Sequence, residues 1–212
     1  MKLIIHSQAL GGTDLEAEFE KAENSEGIML LFHNASGDMN NEILVALASA
    51  CFKRNISSLR CNFHYVNGVG SEKAEWKDVA YDAEAIYAKA KELDGGFLYV
   101  GGKSLGTLAA LYLATLHSEI KAVGLFAVPI RMIEKYLDLE ELSNIKMPVY
   151  VFHGDDDKVG TPDEVESYLD SHIGNKIQMK VIPARGHGFE NQNTNEENKD
   201  LAEEMVSSIL TP

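Results

Sequence analysis

The sequence predicts an α/β protein: a mostly parallel sheet with helices on both faces. Two observations predict it. Apolar runs of strand length alternate with stretches whose apolar residues recur at helical spacing. The runs are also apolar throughout rather than at every second position, as strands covered on both faces are.

The elements follow in order. Lys2 to Ile5 is a short apolar strand, and Leu15 to Ala22 alternates Leu15, Ala17 and Phe19 with acidic residues, as a strand with one exposed face does. Ile28 to Phe32 is a buried central strand. Asn40 to Arg54 is a helix, with Ile43, Leu44, Leu47, Ala48, Cys51 and Phe52 on one face. Ile56 to Phe63 is the next strand. Trp76 to Leu93 is a second helix, which Gly95 and Gly96 stop. Phe97 to Val100 is a strand, and Leu105 to Leu116, apolar nearly all round, is a core helix. Ala122 to Val128 and Pro148 to Phe152 are strands. Thr161 caps a helix, with Pro162 at its first position and Glu164 completing a capping box. Ile177 to Ile182 is the last strand. The polar stretch Asn191 to Asp200 reads as a bare linker before a final amphipathic helix through Leu201, Met205 and Ile209.

The 212 residues fit one domain, 1–212. A net charge of -14 repels phosphate backbones and anionic lipid, and no basic stripe offsets it, so neither nucleic acid nor a membrane surface is an expected partner. The N-terminal residues are too polar for a signal peptide, and no apolar run approaches the roughly 18 residues that span a bilayer. Cys51 and Cys61 read as buried free thiols. The expected location is the cytoplasm.

In a doubly covered parallel sheet, chemistry sits in the loops at the carboxyl ends of the strands. After Phe97 to Val100 comes Gly101-Gly102-Lys103-Ser104-Leu105-Gly106, which is G-x-S-x-G between a strand and a helix. A serine at the apex of so sharp a turn has a strained backbone, and side chains two residues away on either side would strike it. Gly102 and Gly106 remove those side chains. The amides opening the following helix favour a developing oxyanion. A phosphate loop would need glycine five positions before Gly102, where Phe97 stands. An idle serine in a glycine-rich turn is the plain alternative.

A serine hydroxyl needs a base at neutral pH. His187, in Arg185-Gly186-His187-Gly188-Phe189 after the last strand, is the best placed of the seven histidines. His64, after a central strand, is its competitor. His33 and His153 end central strands and read as loop supports. The imidazole needs an acid to hold its tautomer. One of Asp155, Asp156 and Asp157 supplies it, and a solvated turn or a metal cluster are the alternatives for these three. The loop His33-Asn34-Ala35-Ser36-Gly37-Asp38-Met39 follows Ile28 to Phe32. The Ala35 amide is expected to join that of Leu105 in an oxyanion hole.

The segments FHNASGDMN at 32–40, GGKSLG at 101–106, HGDDDKV at 153–159 and GHGF at 186–189 resemble the α/β-hydrolase superfamily along almost the whole chain. The set is similar to the compact dienelactone hydrolase branch. That resemblance implies an α/β-hydrolase fold and places the acid at Asp157. The branch carries cysteine as nucleophile where this chain has Ser104, and often glycine where it has Asn34. The segment 129–147 is too short for a large lid.

The expected activity is hydrolysis of a carboxylic ester or thioester of a small or accessible acyl group, with Ser104, His187 and Asp157 catalytic and Ala35 and Leu105 holding the oxyanion. No cofactor or metal is required. Phe63, His64 and Tyr65 are candidates for the pocket wall or for packing. The competing readings are a non-catalytic binding protein on the same fold and a peptidase or amidase using the same machinery.

Overall fold

A computed structural model describes residues 1–66, 74–174, 176–189 and 195–210. Lys2–Ser7 (β1) and Thr13–Glu20 (β2) pair as an antiparallel hairpin, with Leu15, Ala17 and Phe19 turned inward as their alternation requires. The other strands are Gly27–Phe32 (β3), Ile56–Cys61 (β4), Phe97–Lys103 (β5), Ile120–Phe126 (β6), Val149–Gly154 (β7) and Ile177–Ile182 (β8). They form one eight-stranded sheet in the order β1-β2-β4-β3-β5-β6-β7-β8. β2 meets β4 antiparallel, and every pairing from β4 to β8 is parallel.

The helices are Glu42–Phe52 (α1), Trp76–Leu93 (α2), Leu105–Leu116 (α3), Ile130–Tyr136 (α4), Pro162–Ile173 (α5) and Asn195–Leu210 (α6). α1 and α6 pack on one face through Leu44, Leu47, Met205 and Val206. α2, α3 and α5 pack on the other through Val79, Ile86, Leu108 and Leu169. The central strands β3 and β7 are buried at every position, whereas the edge strand β8 is mostly half-exposed. The box that starts α5 forms as expected: Thr161 Oγ1 accepts from the Glu164 amide, and the Glu164 carboxylate accepts from the Thr161 amide at 2.8 Å.

Three differences from the sequence reading go beyond one or two residues at an element's end. β5 runs on to Lys103, because Gly101 and Gly102 pair in register with β3 and β6; glycine here serves close approach and not chain reversal. α4 and a 3₁₀ turn at Glu141–Asn144 occupy the segment 129–147, burying Ile133 and Leu142. The stretch read as a bare linker is helical from Asn195 onward, and residues 191–194 lie outside the described residues. Cys51 and Cys61 are free and buried. No helix among the described residues is long and apolar enough to cross a membrane.

Candidate active site

The carboxyl ends of β3, β5, β7 and β8 open on one edge of the sheet. Ser104 sits at the end of β5 with φ 50° and ψ −117°, a left-handed conformation that costs a non-glycine residue strain. Neighbouring groups hold it there. Its amide donates to the Phe126 carbonyl at 2.9 Å. Its carbonyl accepts from the Thr107 hydroxyl at 2.7 Å and the Thr107 amide at 2.8 Å. The flanking glycines are obligatory. A Cβ on Gly102 would lie 2.0 Å from the Gly106 carbonyl oxygen, and one on Gly106 would lie 2.3 Å from that of Phe32.

The loops after β7 and β8 bring the other two predicted residues to this serine. Ser104 Oγ is 2.8 Å from His187 Nε2, and His187 Nδ1 is 2.9 Å from Asp157 Oδ2. With Nδ1 donating to the carboxylate, Nε2 is left as the acceptor that faces the hydroxyl. Asp157 has a fully buried side chain, while that of His187 is 29% exposed, so the base is open to solvent and the acid is not. Asp157 Oδ1 accepts the Val159 amide at 2.8 Å. Burial opposes ionisation of Asp157, but the His187 bond, the Val159 amide and the nearby His187 and His153 rings outweigh it. They hold the carboxyl below the usual range. Asp155 and Asp156 are exposed. Among the described residues no group of three or more His, Cys, Asp or Glu is arranged to hold a metal ion.

Two further residues support this geometry. His153 Nε2 donates to the Gly160 carbonyl at 2.8 Å and lies 3.2 Å from Asp157 Oδ2, while its Nδ1 accepts the Val128 amide at 3.2 Å. It therefore clamps the acid loop, a more specific role than the loop support read from its position. Arg185 donates to the Phe189 carbonyl at 2.6 Å and to Asn198 at 2.9 Å, tying the His187 loop to α6. Its signal was its place two residues before His187.

The loop after β3 is held from beneath. His33 Nδ1 donates to the Asn34 carbonyl at 2.7 Å, and His33 Nε2 accepts the Phe63 amide at 3.0 Å. Burial pushes the His33 ring down to about 4, against the opposing pull of the Asn34 carbonyl and of Asp38 and Asp82. The Asn34 carbonyl also accepts from the Gly37 amide at 3.3 Å and the Tyr65 hydroxyl at 3.4 Å. A peptide is planar and trans, so the carbonyl of residue 34 and the N–H of residue 35 point in opposite directions. Anchoring Asn34 through its carbonyl therefore turns the Ala35 amide away from the anchor.

His64 is not a competing base. Its side chain is fully buried and bonded to Asp82 at 2.6 Å, 18 residues along the chain. Phe63 and Tyr65 are also buried, at 1% and 3% exposure, so this run packs beneath the loop.

The fold agrees with the comparisons to known proteins. A search of curated proteins returns no match. Among solved structures the chain is similar to a putative alpha/beta hydrolase of unknown function from Agrobacterium tumefaciens, with TM-score 0.81 and 22% identity over 98% of this chain and 94% of that one. It is similar to Est1E from Butyrivibrio proteoclasticus, with TM-score 0.77 and 16% identity over 97% of this chain and 98% of that one. It is also similar to an a/b serine hydrolase without lid from Xanthomonas campestris, with TM-score 0.74 and 18% identity over 100% of this chain and 96% of that one. Identities this low speak for the fold alone. A family model described as an alpha/beta hydrolase domain matches residues 25–211, most of the chain, and on that match the protein belongs to the alpha/beta hydrolase family.

Proposed function

We propose that this hydrolase cleaves a carboxylic ester or thioester through an acyl-enzyme on Ser104. The observation that carries the reading is the unbroken chain from Ser104 Oγ to His187 at 2.8 Å and from His187 to Asp157 at 2.9 Å. Ser104 Oγ attacks the acyl carbonyl and its proton passes to His187 Nε2. The ionised Asp157 stabilises the imidazolium. The oxyanion of the tetrahedral intermediate is held by the amides of Leu105 and Ala35, and one such donor is worth about 10²–10³ in rate. His187 then protonates the departing alkoxide or thiolate. A water molecule, deprotonated by His187, attacks the acyl-serine and releases the acid, restoring Ser104. No metal or organic cofactor takes part.

The similar Xanthomonas campestris protein is an a/b serine hydrolase without lid, and that likeness of frame supports the same reading here. The segment 129–147 is taken up by α4 and a 3₁₀ turn, so nothing there folds over the serine as a separate cap. A short or accessible acyl group suits such a site.

The test is labelling with a fluorophosphonate probe, read by intact mass and peptide mapping. One adduct on Ser104, absent from Ser104→Ala and from His187→Ala, is the expected result. A folded wild-type protein that takes no label would overturn the hydrolase reading and leave that of a binding protein on the same fold. Turnover of p-nitrophenyl esters without turnover of the matching anilides separates an esterase from an amidase.

A further inference from the structure

The strongest unexplained feature outside the triad is a second buried network of serine, aspartate and histidine. Asp82, on α2, has no exposed surface. Its Oδ1 accepts the Ser7 hydroxyl at 2.6 Å, and its Oδ2 accepts both the His64 amide at 2.8 Å and His64 Nδ1 at 2.6 Å. Three elements thus converge on one carboxylate: the end of β1, the middle of α2 and the segment after β4. An apolar cluster would hold such elements together at less desolvation cost, so a buried polar network of this kind calls for a role in fixing a particular geometry. Among the described residues His64 Nε2 has no hydrogen-bond partner, and the ring reaches no solvent. The ring can neither meet substrate nor relay a proton onward. It holds its own backbone.

That backbone lies directly under the loop that carries Ala35. One residue before His64, the Phe63 amide donates to His33 Nε2; one residue after it, the Tyr65 hydroxyl donates to the Asn34 carbonyl. The His33 ring sits against both neighbours, with centroids 4.8 Å from Phe63 and 5.7 Å from Tyr65. Resting on the reading of Ala35 as an oxyanion donor, we propose that Asp82 and His64 are positioning residues. By fixing the segment Phe63-His64-Tyr65 they fix His33 and the Asn34 carbonyl, and so aim the Ala35 N–H at the developing oxyanion. The pair touches no reacting atom, and its effect belongs to the transition state rather than to substrate binding.

The experiment compares Asp82→Ala with Asp82→Asn and His64→Leu with His64→Asn. In each pair the first variant removes the bond. The second restores it, since an asparagine at 82 can accept through its oxygen and one at 64 can donate through its amide where Nδ1 stood. Two readouts are taken. The first is kcat and KM on p-nitrophenyl acetate, with the rate of fluorophosphonate labelling. Asp82→Ala and His64→Leu lower kcat and labelling about tenfold to a hundredfold with KM within about twofold, a fraction of a whole oxyanion donor. Asp82→Asn and His64→Asn recover most of the loss. Leu169→Ala, a cavity in α5 remote from this loop, controls for destabilisation alone. The second readout is the amide resonance of Ala35 in the ¹H–¹⁵N spectrum, which needs no catalysis. It shifts in the two breaking variants and returns in the two conservative ones.

If the breaking variants slow turnover no more than Leu169→Ala, or leave the Ala35 resonance in place, the positioning role is wrong. If the wild type takes no label while Ala35 still responds to Asp82 and His64, the hydrolase reading fails and the structural coupling stands. Should Asp82→Ala not fold, His64→Leu against His64→Asn decides the question.

Discussion

The molecule holds two trios of serine, histidine and aspartate, and they are wired differently. In the first, His187 lies between Ser104 and Asp157, so the hydroxyl faces a base. In the second, Asp82 lies between Ser7 and His64, so the hydroxyl donates to a carboxylate and no base can receive its proton toward a substrate. Access differs too. His187 has 29% of its side chain in solvent, while His64 and Asp82 have none. On the proposed reading, the same three side chains make a nucleophile in one place and a brace in the other. Connectivity and exposure decide which, and residue type alone does not.

The first trio breaks most sharply at its nucleophile. Ser104→Ala is expected to lose at least about 10⁴-fold in kcat on any ester the wild type turns over, with KM little changed, as steady-state kinetics will read. Asp157→Asn is next, at about 10³–10⁴-fold, because the amide no longer enforces the Nδ1–H tautomer of His187. Asp82→Asn should retain most activity, and that contrast between two aspartates of similar burial is the sharpest form of the comparison. A third break is steric. Gly106→Ala puts a Cβ 2.3 Å from a backbone oxygen in β3, and should cost about 3 kcal/mol or more in denaturant unfolding.

The smallest effect distinguishes how the two regions answer to pH. His33, in the buried network, has its pKa lowered from 6.5 to about 4. A base that is harder to protonate folded than unfolded stabilises the fold fully above the unfolded value, and that stability drains as pH falls through 6.5 toward 4. The loss should reach about 2 kcal/mol by pH 5, and denaturant unfolding of His33→Gln should lack it. Asp157 loses its stabilisation in the same direction, but at lower pH. Its stabilisation is present above the ordinary carboxylate range and is lost only as pH falls below it. Acid should therefore loosen the support of the oxyanion loop before it neutralises the acid of the triad.

Ser104 and His187 were legible in the sequence because each sits in a loop after an apolar strand, where periodicity and glycine mark the place; Asp157 was singled out from Asp155 and Asp156 only by the family resemblance. The elbow could be read from Gly102 and Gly106, since only a backbone collision explains that spacing. The second trio was missed. Asp82 lies in an amphipathic helix, where a carboxylate reads as solvent-facing. The signal was present nonetheless: Asp78 and Asp82 fall in register with Ile86 and Ala90, one turn apart on the buried face. Asp78 accepts the Leu10 amide at 2.9 Å, so both carboxylates serve the hairpin end that packs on α2. Such partners are brought together only by tertiary packing, and no local pattern contains them. α4 escaped for a related reason, since a helix of 7 residues carries too short a period to recognise.

Arg185 reaches from the His187 loop to Asn198 on α6. Fraying of α6 would slacken that mooring while the sheet stayed whole. On the proposed reading, the turnover of a simple ester would then report how firmly this one helix is docked.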